Sequence, residues 1–195
     1  MTHLPGFALR WEDALLADIH AIALAAPFRH MLTPGGQRMS VAMTNCGEVG
    51  WITDRKGYRY EPLDPETGRR WPPLPEHLAR LAAGAAAEAG FAPFRPDACL
   101  INRYLPGARM SLHQDRDERD FSAPIVSVSL GLGATFLFGG LKRSERARRL
   151  PLAHGDVVVW GGAQRLAYHG VAPVTDGYHP LIGRMRLNLT LRKAL

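Results

Sequence analysis

RLNLTLR, residues 186 to 192, alternates without a break: Arg186, Asn188, Thr190 and Arg192 take one set of positions, and Leu187, Leu189 and Leu191 the other. Successive side chains of a β-strand point to opposite sides of the sheet, so this period of two predicts a strand with one polar and one apolar face. The leucines must cover a core. The polar face has two readings. One face of an antiparallel sheet commonly meets water; alternatively, the four polar groups line a cavity inside a sandwich. There the two arginines could bind a small dicarboxylate through charge-assisted hydrogen bonds, each about 1.5–3 kcal/mol, a task for which lysine is a poor substitute. Asn102 and Tyr104, in LINRY, share a strand face by the same rule and could supply neutral donors to that anion.

The segments upstream have the same character. ACLINRYL (98–105), PIVSVSLGL (124–132), ATFLFGG (134–140), DVVVWGG (156–162) and RLAYHGVAP (165–173) follow one another with Gly, Pro and Asp breaks and no helix between them. That succession predicts an antiparallel sandwich or barrel. The first half differs. WEDALLADIHAIALAA (11–26) carries Trp11, Leu15, Ile19 and Ile22 at helical spacing and stops before Pro27, and LPEHLARLAAGAAAEAG (74–90) opens at Pro75 and closes at Gly90. Residues 33–73 are rich in Gly, Pro, Thr and aromatics, with strand-like pieces in MSVAM and GYRYEP, and are expected to form hairpins or a lid. One domain over residues 1–195 follows, with two N-terminal helices on a β-sandwich that begins near residue 98.

With 195 residues, 46% of them apolar, the chain can bury a single core without disulfide or zinc staples. Cys46 and Cys99 lie far apart and form no CxxC, which favours a reducing compartment over a structural zinc site. MTHLPGFALRWED has no basic stretch followed by an apolar core, so no secretory leader is expected. LLADIHAIALAA carries Asp18 and His20 and is too short to span a bilayer. A cytosolic protein without a membrane partner is therefore expected. The net charge of +6 and pI near 9.8 suit a polyanionic partner. KRSERARR (142–149) and the Arg69-Arg70 pair concentrate that charge, although a solvated hairpin tip has the same composition.

Two histidine–aspartate pairs are separated by one residue: His113 and Asp115 in SLHQDRDE (111–118), and His154 and Asp156 in AHGDVVVW (153–160). On a strand either pair would point to one side and could share a metal ion. Gly155 and the valines after it suggest a turn entering a strand, where aspartate commonly serves turn chemistry, but spacing alone does not choose. His169, in RLAYHGVAP, offers a third ligand. Two histidines and one carboxylate leave the other coordination positions open, the pattern of non-haem Fe(II) oxygenases. On spacing alone, a core histidine bonded to a backbone carbonyl is the commoner role for such a residue.

Taken together, NRYLPGARMSLHQDRDE (102–118), APIVSVSLGL, FGGLKR, HGDVVVWGG, YHG and RLNLTLR resemble the AlkB family of alkylation-repair dioxygenases. The likeness runs from about residue 28 to the C-terminus and includes SVAMTNCG, GW, GYRY and DACLINRY. It implies an α+β, mainly β fold: a double-stranded β-helix, or jelly roll, with N-terminal helices and a nucleotide-recognition lid over residues 33–60. It implies Fe(II) held by His113, Asp115 and His169, with His154 and Asp156 in a structural turn. 2-Oxoglutarate would be the cosubstrate, with O2, in a site of Asn102, Tyr104, Arg186, Asn188, Thr190 and Arg192. Arg186 would pair with its distal carboxylate, while Arg192 and Asn102 would lie nearer the metal.

The same likeness assigns the substrate side. Trp51 would stack on an extruded base with the His113 ring opposite, and Asp117 would meet the base's exocyclic amine or positive charge. Tyr58 and Arg143 would touch the nucleic-acid backbone, and Met39 and Met43 would shape the pocket. The implied activity is oxidative demethylation of 1-methyladenine and 3-methylcytosine in single-stranded or damaged DNA, and in RNA. It would release formaldehyde, succinate and CO2 and be carried out by a cytoplasmic monomer. Gln37, Ala167 and Leu187 stand where aromatics are usual in the family.

Overall fold

The computed structural model describes residues 1–195. In chain order the elements are β1 (Thr2–Leu4), α1 (Glu12–Ala25), β2 (Ala42–Gly47), β3 (Gly50–Asp54), β4 (Gly57–Glu61) and α2 (Glu76–Glu88). Then come β5 (Ala98–Tyr104), β6 (Met110–His113), β7 (Ile125–Gly131), β8 (Ala134–Phe138), β9 (Arg148–Leu152), β10 (Val157–Trp160), β11 (His169–Val171) and β12 (Arg186–Arg192). Six strands form a large sheet in the order β1-β10-β7-β12-β5-β2, four form a smaller one in the order β6-β11-β8-β9, and β3–β4 is a separate hairpin. Every pairing in the two sheets is antiparallel. The two sheets make the jelly roll.

β12 is central, bonded to β5 on one side and β7 on the other. Its leucines face the helices: Leu187, Leu189 and Leu191 share a core with Leu15, Ile19 and Ile22 of α1 and Leu78, Leu81 and Ala85 of α2. Full burial of such a side chain contributes about 1.5–3 kcal/mol, which explains why both helices dock on this face. The alternate residues turn inward, between the sheets. Arg186, Asn188, Thr190 and Arg192 are 1%, 6%, 5% and 5% exposed, so the polar face lines an interior and does not meet water. The small sheet covers it, and Phe136, Phe138 and Trp160 fill the apolar part of that second core.

Both helices fall where the periodicity predicts. α1 gives way to an extended Ala26 ahead of Pro27, and α2 starts behind Pro75, which needs no hydrogen bond for its missing N–H, with Glu76 in the first turn. Elsewhere the structure departs from the sequence reading. The large sheet recruits β1 and β2 from outside the C-terminal stretch, and β2 pairs along β5 with Met43 opposite Asn102. Residues 33–60 are therefore not one unit: β2 belongs to the main sheet and only β3–β4 stands apart. β6 ends at His113, so Asp115 lies on the loop beyond it and not on the same strand face. Cys46 and Cys99 are free, buried and directly opposite each other on β2 and β5. No helix is long and apolar enough to cross a membrane.

The second histidine–aspartate pair fastens the N-terminus. Asp156 accepts hydrogen bonds from the backbone N–H groups of Gly6 and Ala153, each at 2.9 Å, and sits 3.0 Å from His3 Nε2. His154 Nδ1 accepts from the Gly131 N–H at 2.9 Å, so its other nitrogen carries the proton toward Glu12. Both side chains are committed to holding β1 and α1 on the sheet.

Candidate metal centre

His113 and His169 are register partners across β6 and β11. Their ring centroids lie 4.4 Å apart. Gly170 makes that approach possible, because a Cβ there would fall 2.6 Å from the Met110 carbonyl oxygen of the neighbouring strand. Each imidazole is oriented by a short backbone bond. The His113 Nδ1–H donates to the Ser111 carbonyl at 2.8 Å, and the His169 Nδ1–H donates to the Ala167 carbonyl at 3.0 Å. Both Nε2 lone pairs are thereby free to face the centre, the tautomer a metal ligand needs. Asp115 enters from its loop with Oδ1 3.6 Å from His113 Nε2 and Oδ2 3.5 Å from His169 Nε2. The three candidate ligand atoms all lie within 4.8 Å of one another, and no other His, Cys, Asp or Glu group converges in this way.

The electrostatics suit a cation. Burial alone would raise the Asp115 carboxyl, but Arg192 and then His169 hold it well below the ordinary carboxylate range. Arg192 places Nη2 2.7 Å and Nε 3.1 Å from Asp115 Oδ2. Crowding by protein, and next the neighbouring His169, push His113 down to about 4, although 39% of its side chain still meets solvent.

A neutral His113 has a measurable consequence. Its folded pKa lies below the ordinary 6.5, so between pH 6.5 and 4 the unfolded chain takes up a proton that the fold refuses. Stability of the metal-free protein is expected to fall through that window. Urea unfolding at pH 7 and pH 4.5 checks this, and His113→Ala should flatten the slope; equal slopes in the two proteins would contradict it.

Next to this centre lies a layer of half-satisfied donors. Arg186 is 1% exposed, yet only Nη2 has a partner, the Ser129 hydroxyl at 3.0 Å; Nε and Nη1 have none. Burial pulls its guanidinium below the ordinary value, opposed by Tyr104, whose ring lies under it at 5.1 Å. Burial raises Tyr104 in turn, which keeps its phenol a neutral donor. Asn102 donates one amide N–H to Asn188, and its Oδ1, an acceptor, has no partner. Asn188 is committed: its amide N–H groups donate to Ser127 Oγ at 2.8 Å and the Val128 carbonyl at 3.0 Å, while Asn102 and Thr190 donate to its oxygen, each at 3.3 Å. A buried unpaired guanidinium is costly, and an oxygen-rich anion is the ligand that would satisfy it. The donor set thus fits a dicarboxylate beside a divalent cation.

The hairpin supplies a wall. Trp51 on β3 stacks against Tyr58 on β4, with centroids 5.7 Å apart and planes inclined by 18°. The Trp51 indole N–H donates to Asp117 Oδ2 at 2.8 Å. Met43 is fully buried beside Asn102, and Met39 packs half-buried against the same core. Arg143 is exposed in the loop between β8 and β9 and makes no hydrogen bond or ion pair with these groups. That loop nevertheless leaves β8 beside the metal strand, since the Gly139 N–H donates to the Tyr168 carbonyl at 2.7 Å.

Three residues escaped the sequence reading: Tyr60, Glu118 and Arg165. Glu118 is 6% exposed and accepts from the Tyr60 hydroxyl at 2.8 Å. Arg192 Nε lies 3.3 Å from its Oε1, and Arg165 Nη2 lies 3.2 Å from Oε2, close enough for attraction but out of line for a hydrogen bond. Arg165 also donates to the backbone carbonyl of Asp115 at 2.9 Å. An acid three positions after Asp115 and a second tyrosine in GYRY were the available signals.

Comparison with known proteins agrees with this geometry. The profile of the 2OG-Fe(II) oxygenase superfamily matches residues 1–192. The chain is 58% identical over 188 residues to the alpha-ketoglutarate-dependent dioxygenase AlkB of Escherichia coli (strain K12), covering 96% of this chain and 87% of that one. It is 45% identical over 203 residues to an AlkB homolog of Caulobacter vibrioides, covering 100% and 90%. A solved structure, that of OsALKBH1, superimposes with a TM-score of 0.84 at 27% identity, covering 98% of this chain and 96% of that one.

Proposed function

Because the chain belongs to the 2OG-Fe(II) oxygenase superfamily and, within it, to the AlkB family, we propose that it repairs alkylated nucleic acid by oxidative demethylation of 1-methyladenine and 3-methylcytosine. The observation that carries the reading is the two-histidine, one-carboxylate cluster beside a buried arginine with two unpartnered nitrogens. His113, Asp115 and His169 would hold Fe(II). Arg186, Tyr104 and Asn102 would hold 2-oxoglutarate, with Asn188 and Thr190 keeping Asn102 in place and Arg192 nearer the metal. When bound, iron and 2-oxoglutarate supply an oxidant from O2 that hydroxylates the N-methyl carbon, with formaldehyde, succinate and CO2 as products.

The chain's own residues bind, orient and exclude water. Arg192 holds Asp115 Oδ2, the oxygen that also faces His169, and so fixes the carboxylate's direction. Trp51, backed by Tyr58, would offer its other face to an extruded base. Extrusion costs a few kcal/mol, and least for a base that cannot pair. Methylation at N1 of adenine or N3 of cytosine blocks pairing and adds a positive charge. Asp117 at the wall is a carboxylate for that charge, and Met39 and Met43 bound the pocket. Tyr58, Arg143 and the rest of the basic 142–149 run suit the phosphate backbone. Single-stranded or damaged DNA therefore needs least work, and RNA presents the same bases. Since one chain carries every candidate group, a monomer suffices, and the free thiols of Cys46 and Cys99 fit work in the cytoplasm.

The direct test uses the purified protein with Fe(II), ascorbate, 2-oxoglutarate and air on a single-stranded oligonucleotide bearing one 1-methyladenine. Mass spectrometry should show loss of one methylene, dependent on 2-oxoglutarate and absent with His113→Ala. Succinate accumulation over an intact oligonucleotide would keep the oxygenase and discard this substrate. Trp51→Ala probes the wall. Stacking on one aromatic ring contributes about 1–3 kcal/mol, so turnover at low oligonucleotide concentration should fall by about 5- to 150-fold. Metal affinity should stay unchanged; equal loss of both would remove the stacking role.

A further inference from the structure

Asp117 and Glu118 follow Asp115 by two and three residues, and each receives a hydrogen bond from the hairpin. The donors, Trp51 and Tyr60, are direct partners across β3 and β4, so they stand side by side on one face. A two-stranded ribbon is marginal on its own, and β3–β4 has no third strand. Its far side is tied elsewhere: Asn45 exchanges two hydrogen bonds, both at 3.0 Å, with the Trp51 backbone, and the Trp71 indole donates to the Glu61 carbonyl at 2.9 Å. Toward the metal loop itself the hairpin is held by the pair of bonds to the two acids; the Tyr60 hydroxyl also accepts from Arg192 Nη1 at 3.4 Å, and its ring packs on Val49, Ala98 and Ala194.

The two points differ in surroundings. Glu118 is buried, and its Oε1 is shared with Arg192, whose Nη2 in turn holds Asp115 at 2.7 Å. A shift of Tyr60 would therefore be felt at the support of Asp115. Asp117 is exposed. A hydrogen bond in water is worth little net, and a competing donor can take it over.

We propose that Asp117 and Glu118 are positioning residues that latch the β3–β4 hairpin to the metal-ligand loop at two points. Glu118–Tyr60 is the permanent point, and Asp117–Trp51 is the point that opens when a base enters. The second half rests on the demethylase reading, because the donor that displaces the indole is the exocyclic amine of the bound base. The first half does not.

Hydrogen exchange followed by mass spectrometry, on the full chain loaded with Fe(II) and 2-oxoglutarate under argon, tests the permanent point. Tyr60→Phe keeps the ring and removes only the hydroxyl. Exchange over residues 50–61 should accelerate about tenfold, with β5 and β12 unchanged. No acceleration, or equal acceleration throughout both sheets, overturns the latch. The Trp51 indole N–H resonance in the Zn(II)-substituted protein tests the exposed point. Asp117→Ala should shift it, and Asp117→Asn, which keeps an acceptor oxygen, should restore it; an unmoved resonance in Asp117→Ala overturns that contact. Adding the 1-methyladenine oligonucleotide to the unmutated protein should move the same resonance while residues 50–61 stay protected. If the variants behave as expected but the oligonucleotide moves nothing, the opening step is overturned and the latch stands.

Discussion

Arg186→Met is expected to raise the 2-oxoglutarate concentration needed for half-maximal turnover by about 10²- to 10⁴-fold and to leave the ligand-free protein at least as stable as before. The first effect follows from two lost charge-assisted bonds to a carboxylate, about 3–6 kcal/mol together. The second follows from the state of Arg186 without its ligand. It is 1% exposed, bonded only to Ser129, and has two nitrogens with no partner. Methionine, a shorter and apolar side chain, removes that unmet demand and leaves a flexible thioether to pack beside the Tyr104 ring. Function and stability therefore move in opposite directions, which distinguishes a ligand-binding arginine from a structural one. Thermal unfolding with and without 2-oxoglutarate reads both effects. The unmutated protein should gain stability as ligand saturates it, and the variant should not. A large fall in the ligand-free Tm with an unchanged 2-oxoglutarate requirement would remove Arg186 from the site.

Asp115→Ala should have a different signature. It removes the only anionic member of the metal cluster, so Fe(II) affinity should fall by more than about 100-fold, since losing even a partner behind the ligands costs 10–100-fold. Turnover at ordinary iron levels should vanish. The substitution also strips Arg192 of its nearest partner. Breaking a buried pair from one side costs about 3–5 kcal/mol, and the low end applies because Glu118 remains 3.3 Å from Arg192 Nε. Metal titration and urea unfolding of the metal-free protein measure the two losses separately. Tight iron binding in the variant would exclude Asp115 as a ligand.

These two residues also show how far the sequence could be read. The β12 strand and both its faces were legible in RLNLTLR, because alternation is a local property of the backbone. Which of two environments the polar face meets was not local: it depends on a second sheet whose farthest strand, β6, lies more than 70 residues away in the chain, so only the structure excludes solvent. The candidate metal cluster was legible only through family likeness. His113 closes one strand, Asp115 sits on the loop after it, and His169 opens another, so no single periodicity joins them. The rival pair of His154 and Asp156 had equally good spacing and is spent on the N-terminal segment. Glu118 looked like one more surface acid in a charged run, and its burial arises from Arg165 and Tyr60, which arrive from distant parts of the chain.

The direct pairing of His113 with His169 across β6 and β11 would give an ion held by both histidines a further part in assembly. Sliding one strand past the other by a single residue would turn one imidazole to the opposite face of the sheet, and the three ligand atoms could no longer converge. An ion that needs all three is therefore captured only by chains whose small sheet has closed in the correct alignment. Iron occupancy in a freshly folded preparation would then count the correctly threaded molecules, and metal added during refolding should enrich for them.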